Sequence, residues 1–190
     1  MTATVPRRTQ AERREATQAK LVDAAIESLV DQGWAATTAV EVCARAGLTR
    51  GAFHHHFDRL PQLHGAALRH IYDDLRAAAP DEPPTDLPTL IDALYEPTRD
   101  PRFKAVIEAW LAMTNDPELR TELEPVVFEF AALLGAGANT SKILRTKAAK
   151  DHYFLARETI LGLALGRATN AGKPLPHEAA VVARLKASCP

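Results

Sequence analysis

GWAATTAVEVCARAGLTRGAFHHHFDRLPQL, residues 33–63, reads as two short helices joined by a tight turn. Thr38 followed by Glu41 has capping-box spacing: the hydroxyl accepts from an amide of the first turn while the carboxylate reaches back to the cap amide. The spacing predicts a helix from Ala39, with Val40, Cys43 and Ala44 on its inner face. Gly47 supplies the left-handed residue that stops this helix without a Cβ clash. Leu48 fills the turn, and Thr49 is a second N-cap that opens a helix through Phe57. Phe53 and Phe57, four apart, share the inward side of that helix, which leaves Arg50, His54 and His55 pointing outward. A capped helix with a cation in its first turn and a His-rich outer face suits the major groove of DNA, where the start of a recognition helix meets base edges.

The run AGLTRGAFHHHF (residues 46–57), preceded by GWAATT and by a helix of Leu/Ala/Ile spacing, resembles the N-terminal domain of the tetracycline-repressor (TetR) family of bacterial transcription regulators. The resemblance covers residues 13–68 and implies an all-α chain. It implies an N-terminal three-helix DNA-binding domain over 1–79, with the helix-turn-helix at 39–57 and a linking helix at 60–79. A helical domain for effector binding and dimerisation follows over 80–190. The implied function is that of a homodimeric regulator, a repressor released from double-stranded operator DNA by a small apolar effector. The DNA-contact residues carried over are Thr38, Arg45, Thr49, Arg50, Gly51, Ala52, His54, His55, His56 and Arg59. Two positions depart from the family pattern: His54 stands where Tyr is usual and Leu60 where Lys is usual. Both family residues typically touch phosphate, so the grip is weaker here or redistributed to Arg59.

Composition bounds the alternatives. A chain of 190 residues with 46% hydrophobic and 25% charged residues has the make-up of a globular protein of one or two small domains. A formal net charge of -1 excludes a nonspecific nucleic-acid coat. DNA binding must then come from local charge: Arg7, Arg8, Arg13, Arg14 and Lys20 near the N-terminus, and Arg45, Arg50 and Arg59 in the motif. Cys43 and Cys189 offer no disulfide framework. With no apolar signal core and no run of 18 apolar residues, the expectation is a cytoplasmic protein with no membrane partner.

Helical periods run through the rest of the chain. Leu21, Val22, Ala25, Ile26, Leu29 and Val30 form one stripe of a helix over 13–32, after which Trp34 is expected to pack back onto it. Leu63, Ala67, Ile71 and Leu75 line the linking helix, opened by Asp58 and Pro61, and the proline-rich stretch 80–88 reads as a boundary. Further helices carry Leu87 to Leu94 and Phe103 to Thr114; another opens at Asp116-Pro117, is kinked at Pro125 and ends at Gly135 and Gly137. A helix ending near Asn170 carries Tyr153, Ala156, Ile160, Leu163 and Arg167, and the last runs over 176–188. Because residues 160–166 are apolar on nearly every side, Ile160, Leu163 and Gly166 with Val181, Val182 and Leu185 are the expected dimer interface, the alternative being a buried central helix. Tyr95, Phe103, Trp110, Met113, Phe128, His152 and Tyr153 are the expected effector pocket, the alternative being plain core.

Catalytic and metal chemistry find little purchase. Successive helical residues point about 100° apart, so His54, His55 and His56 cannot converge on one ion. There is no glycine-rich phosphate loop, nucleophile elbow or Cys/His metal pattern, and no cofactor, metal or catalytic residue is expected. His152 near Asp151 and Glu158 is either an acid/base cluster or a solvated helix face. An all-helical carrier or enzyme, with the N-terminal motif only structural, is the competing function.

Overall fold

The computed structural model describes residues 9–78, 82–135 and 140–190, without the side chains of residues 130–135. Arg7, Arg8, Ala79, Pro80, Gly137 and the side chains of Phe130 and Leu134 lie outside the described residues. Every regular element among the described residues is helical.

Helix α1 (Gln10–Asp31) starts three residues before the expected position 13 because Thr9 and Glu12 form a reciprocal capping box: the Glu12 amide donates to Thr9 Oγ1 at 3.2 Å and the Thr9 amide to Glu12 Oε2 at 2.7 Å. Gly33 (φ 84°) ends it and leads into a 3-10 turn, Trp34–Ala36. The turn is fixed by buried Thr37, whose hydroxyl donates to the Gly33 carbonyl at 2.9 Å and lies 3.0 Å from Ser28 Oγ. Helix α2 (Ala39–Ala46) is capped by Thr38 and stopped by Gly47 at φ 65°. Its inner face differs from the expectation: Val40 is 62% exposed and Ala44 is exposed, while Val42 and Cys43 are buried. Ala39, Val42, Cys43 and Ala46 all pack on the core, and their i, i+3, i+4, i+7 spacing is the apolar stripe of a helix lying on α1. The expected stripe mixed residues from both sides of that line.

Helix α3 (Arg50–His56) is capped by Thr49, whose hydroxyl accepts from the Ala52 amide at 3.1 Å. Phe53 and Phe57 are buried with ring centroids 5.9 Å apart. Helix α4 (Leu60–Ala77) has Pro61 in its first turn, but Asp58 is not its cap. Instead Gln62 Oε1 reaches back to the Asp58 amide at 2.9 Å. The proline-rich stretch is shorter than expected, since Asp86 and Thr89 make a capping box that opens α5 (Leu87–Tyr95) with Pro88 in its first turn.

Beyond it come α6 (Phe103–Ala112), α7 (Pro117–Gly135), α8 (Thr140–Ile143), α9 (Lys147–Thr169) and α10 (Glu178–Ala187). Asp116 caps α7 as expected, accepting from the Leu119 amide at 2.9 Å. Two cores result. The first joins α1–α4 to Phe103, Val106 and Ala109 of α6, Leu119 and Leu123 of α7, and Ala164 of α9. The second joins Leu87, Leu90, Ile91 and Leu94 of α5 to Tyr153, Ala156 and Ile160 of α9 and Leu185 of α10. The helices that position the α2–α3 motif therefore include α6 and α7 from the later part of the chain. No described helix is long and apolar enough to cross a membrane.

Candidate DNA-contact surface

The double capping that sequence spacing requires leaves α3 with its aromatic side down and Arg50, Gly51, His54 and His55 exposed. Arg50 occupies the first turn, makes no ion pair among the described residues and is free to reach outward. An added Cβ at Gly51 would meet only Thr49 Oγ1, at 3.7 Å, so the helix surface beside Arg50 is low enough for close approach of another backbone. Thr38 and Thr49 are exposed, and each hydroxyl accepts one helix amide. Their own protons stay available to donate to an anion. Ala52 is half-buried beside them.

Other motif residues are occupied. Arg45 bonds Asp31 at 2.8 Å and Glu41 at 3.3 Å and lies 3.7 Å from Glu27, so it seals α2 to α1. Its pKa is raised first by the Asp31 bond, against some burial. Arg59 pairs with Glu118 at the start of α7. The His56 ring is half-buried, and its pKa is lowered by burial, then by His55 and Arg14. This places Arg14 of α1 electrically beside the end of α3. His55 and His56 meet edge-on at 5.3 Å, and no group of three metal-ligating side chains is present among the described residues.

The motif is tied to α6 through the turn before α2. Glu108 Oε2 accepts from the Trp34 amide at 2.7 Å while Oε1 lies 3.4 Å from Lys104 Nζ. The Trp34 ring does not fold back on α1 alone; its centroid is 4.3 Å from that of His64 on α4. Burial drives the His64 pKa down to about 4, only partly opposed by its bond to the Thr37 backbone. His64 thus folds in neutral. Above pH 6.5 its packing is fully realised, and as pH falls toward 4 the unfolded chain binds a proton that the folded chain refuses. The expected loss is about 3 kcal/mol. Urea midpoints between pH 7 and about pH 4 check it, and a His64→Leu variant with the same acid slope would assign the loss elsewhere.

The seven expected pocket residues do not gather in one place. Phe103 is buried in the first core with Trp110 edge-on at 6.0 Å, and Met113 is half-buried nearby in the same cluster. The indole N–H of Trp110 acts on the Tyr72 hydroxyl of α4, whose pKa burial pushes up to about 12 against that influence. Tyr95 and Tyr153 belong to the second core. Phe128 is 65% exposed. His152 Nε2 lies 2.8 Å from the Leu185 carbonyl and fastens α9 to α10; of the seven it alone borders a shallow depression of about 290 Å³ formed with Ala148, Asp151, Leu155, Ser188 and Pro190.

The expected dimer residues turn inward. Ile160, Leu163, Val182 and Leu185 are buried within the single chain, and Val181 packs on the second core. At Gly166 an added Cβ would come within 2.7 Å of Leu175 Cδ1, so this glycine admits the chain's own loop. The exposed large apolar side chains of α9 are Phe154 (48% exposed), Leu155 (58%) and Leu165 (47%), and among the described residues an added Cβ at Gly162 would meet nothing within 4 Å. Sequence reading missed these side chains because α9 is apolar on both sides.

Residues 21–59 match the family described as bacterial regulatory proteins, tetR family. The HTH-type transcriptional regulator CymR of Pseudomonas putida is 30% identical over 84% of this chain and 83% of its own length. The HTH-type transcriptional regulator BetI of Burkholderia thailandensis is 32% identical over 56% of this chain and 60% of its own. Among solved structures, a transcriptional regulator from Rhodococcus sp. Rha1 superposes with a TM-score of 0.71 at 19% identity, covering 90% of this chain and 95% of that one. The multidrug binding protein EbrR, complexed with imidazole, superposes at 0.64 with 26% identity over 96% and 97%.

Proposed function

Because the chain belongs to the TetR family of bacterial transcription regulators, we propose that it acts in the cytoplasm as a homodimeric repressor, holding operator DNA through α3 and releasing it when a small effector binds. A family of regulators leaves no place for the enzyme alternative. The observation that carries the reading is Arg50: exposed and without an ion pair among the described residues, in the first turn of a helix whose other side is locked down by Phe53 and Phe57. Residues 1–79 form the DNA-binding unit in this reading, and 80–190 bind the effector and dimerise. Thr38, Thr49 and His54 hold phosphates. Trp110, half-buried on the helix that carries Glu108, and Met113, half-buried at that helix's C-cap, are the favoured effector contacts. EbrR has also been solved with ethidium and with proflavin, which favours a flat aromatic molecule. Such a molecule lowers operator affinity only by binding the DNA-incompetent state more tightly.

Gel shift against duplexes flanking the protein's own gene tests the reading, and failure to bind any of them removes it. Arg50 is expected to read a guanine through O6 and N7. Arg50→Ala should cost about 1–3 kcal/mol and relax preference at one base pair per half-site. Uniform weakening across all sequences would make Arg50 a phosphate clamp instead.

A further inference from the structure

Arg59 lies between α3 and α4, at the N-cap of α4, and its Nη1 meets Oε1 of Glu118 in the first turn of α7. Both side chains are half-exposed, at 53% and 55%. From Phe57 to Leu68 the only other basic side chain is His64, buried and neutral. Arg59 is therefore the one lasting cation of this stretch beside the recognition helix. Its partner is placed by packing. Leu119 and Leu123 of α7 are buried in the core that holds Leu63 and Ala67 of α4, and at Gly65 an added Cβ would stand 3.7 Å from Leu123 Cδ2. The carboxylate is thus presented to Arg59 by a helix that cannot drift from α4 without opening that core.

Carboxylate and DNA phosphate are competing acceptors for one guanidinium fork. Building on the DNA-binding reading, we infer that Glu118 is an internal stand-in for a backbone phosphate: it occupies Arg59 in the free protein and must be exchanged for DNA when the protein binds. The exchange holds operator affinity below what the DNA-facing cations would otherwise give. It also makes the position of α7 a determinant of that affinity, because any displacement of α7 that carries Glu118 away frees Arg59 for phosphate. The device acts equally on all sequences, since phosphate contacts carry no base information.

The test compares wild type with Glu118→Gln, Arg59→Ala, the double variant and Glu124→Gln. Glu124 is an exposed α7 carboxylate outside the ion pair, so its variant removes the same charge without releasing Arg59. Dissociation constants are measured on a duplex from the DNA flanking the gene and on an unrelated duplex, across a salt series. Glu118→Gln should tighten binding to both duplexes by about two- to fivefold at low salt, the span of an exposed pair. The gain should vanish in the Arg59→Ala background and be absent in Glu124→Gln. Arg59→Ala should lower the slope of log K against log salt by about 0.9. The inference is overturned if Glu118→Gln binds like wild type, if its gain survives loss of Arg59, or if Glu124→Gln reproduces it. Wild type that binds neither duplex at any salt overturns the DNA-binding reading and this inference with it, whereas wild-type binding without the gain overturns the inference alone.

Discussion

Glu178→Gln should destabilise the folded chain by about 3–5 kcal/mol, because it leaves a buried guanidinium without its counter-charge. Glu178 is 3% exposed and Arg167 6%. The pair joins α10 to α9, Arg167 also donates to the Thr98 carbonyl, and Glu178 accepts from the Tyr95 hydroxyl at 2.7 Å and the Leu175 amide at 3.1 Å. Burial alone would raise the Glu178 pKa, yet the bonds from Arg167, Tyr95 and Leu175 outweigh it and hold the carboxyl below its ordinary value. Ionised Glu178 therefore stabilises the fold above the unfolded carboxyl range, and that contribution is lost as pH falls through the lower folded value. Denaturant midpoints at neutral pH are the measurement, and an unchanged midpoint in Glu178→Gln would show that water or rearrangement already neutralises Arg167. A Glu178→Leu, Arg167→Met double variant should recover most of the loss, since paired replacement of buried ions by apolar groups is often near neutral.

What was legible in the sequence follows the range of the interactions concerned. Thr38, Gly47, Thr49 and Asp116 act within a few residues of themselves, and each caps or stops a helix as its spacing requires; the return half of the expected Thr38/Glu41 box does not form, because the Glu41 carboxylate bonds Gln32 and Arg45 and the Thr38 amide donates to the Ala36 carbonyl. Thr9 with Glu12 carries the same signal, but α1 begins with polar residues and its apolar stripe comes only at Leu21, so periodicity alone points to a later start. The phase of α2 is ambiguous in sequence because Val40 is as apolar as Val42, and eight residues give too few turns to fix which of them faces α1. Arg167 fell on the right stripe of α9, but nothing local announces that Glu178 waits for it across the turn. Arg59 with Glu118 and Trp34 with Glu108 are 59 and 74 residues apart; only packing of α6 and α7 on the motif creates them. The aromatic residues expected to share a pocket were divided for the same reason, since periodicity gives a helix its inner face without saying which core that face enters.

The sidedness of α9 yields the second large expectation. Successive residues advance about 100° around a helix, which puts Phe154, Leu155, Gly162 and Leu165 within one stripe about 100° wide, opposite buried Tyr153, Ala156, Ile160 and Leu163. Three large apolar side chains and an open glycine on one face are the surface on which a second copy would seat, with Gly162 allowing the helices close approach. Leu165→Glu combined with Leu155→Glu should leave a folded chain, since neither side chain enters a core, but should convert a dimer to monomer in sedimentation. Leu163→Glu, by contrast, buries an unpaired charge at a site 6% exposed and should prevent folding. DNA binding falls with the dimer: two α3 helices can occupy successive major grooves only when something sets them one turn of DNA apart, about 34–36 Å. Losing the link between half-sites should weaken operator binding by about 10²–10⁴-fold while leaving weak binding to a single half-site. A folded, still dimeric double variant would place the interface elsewhere, and a monomer with undiminished operator affinity would mean that one copy of α3 suffices.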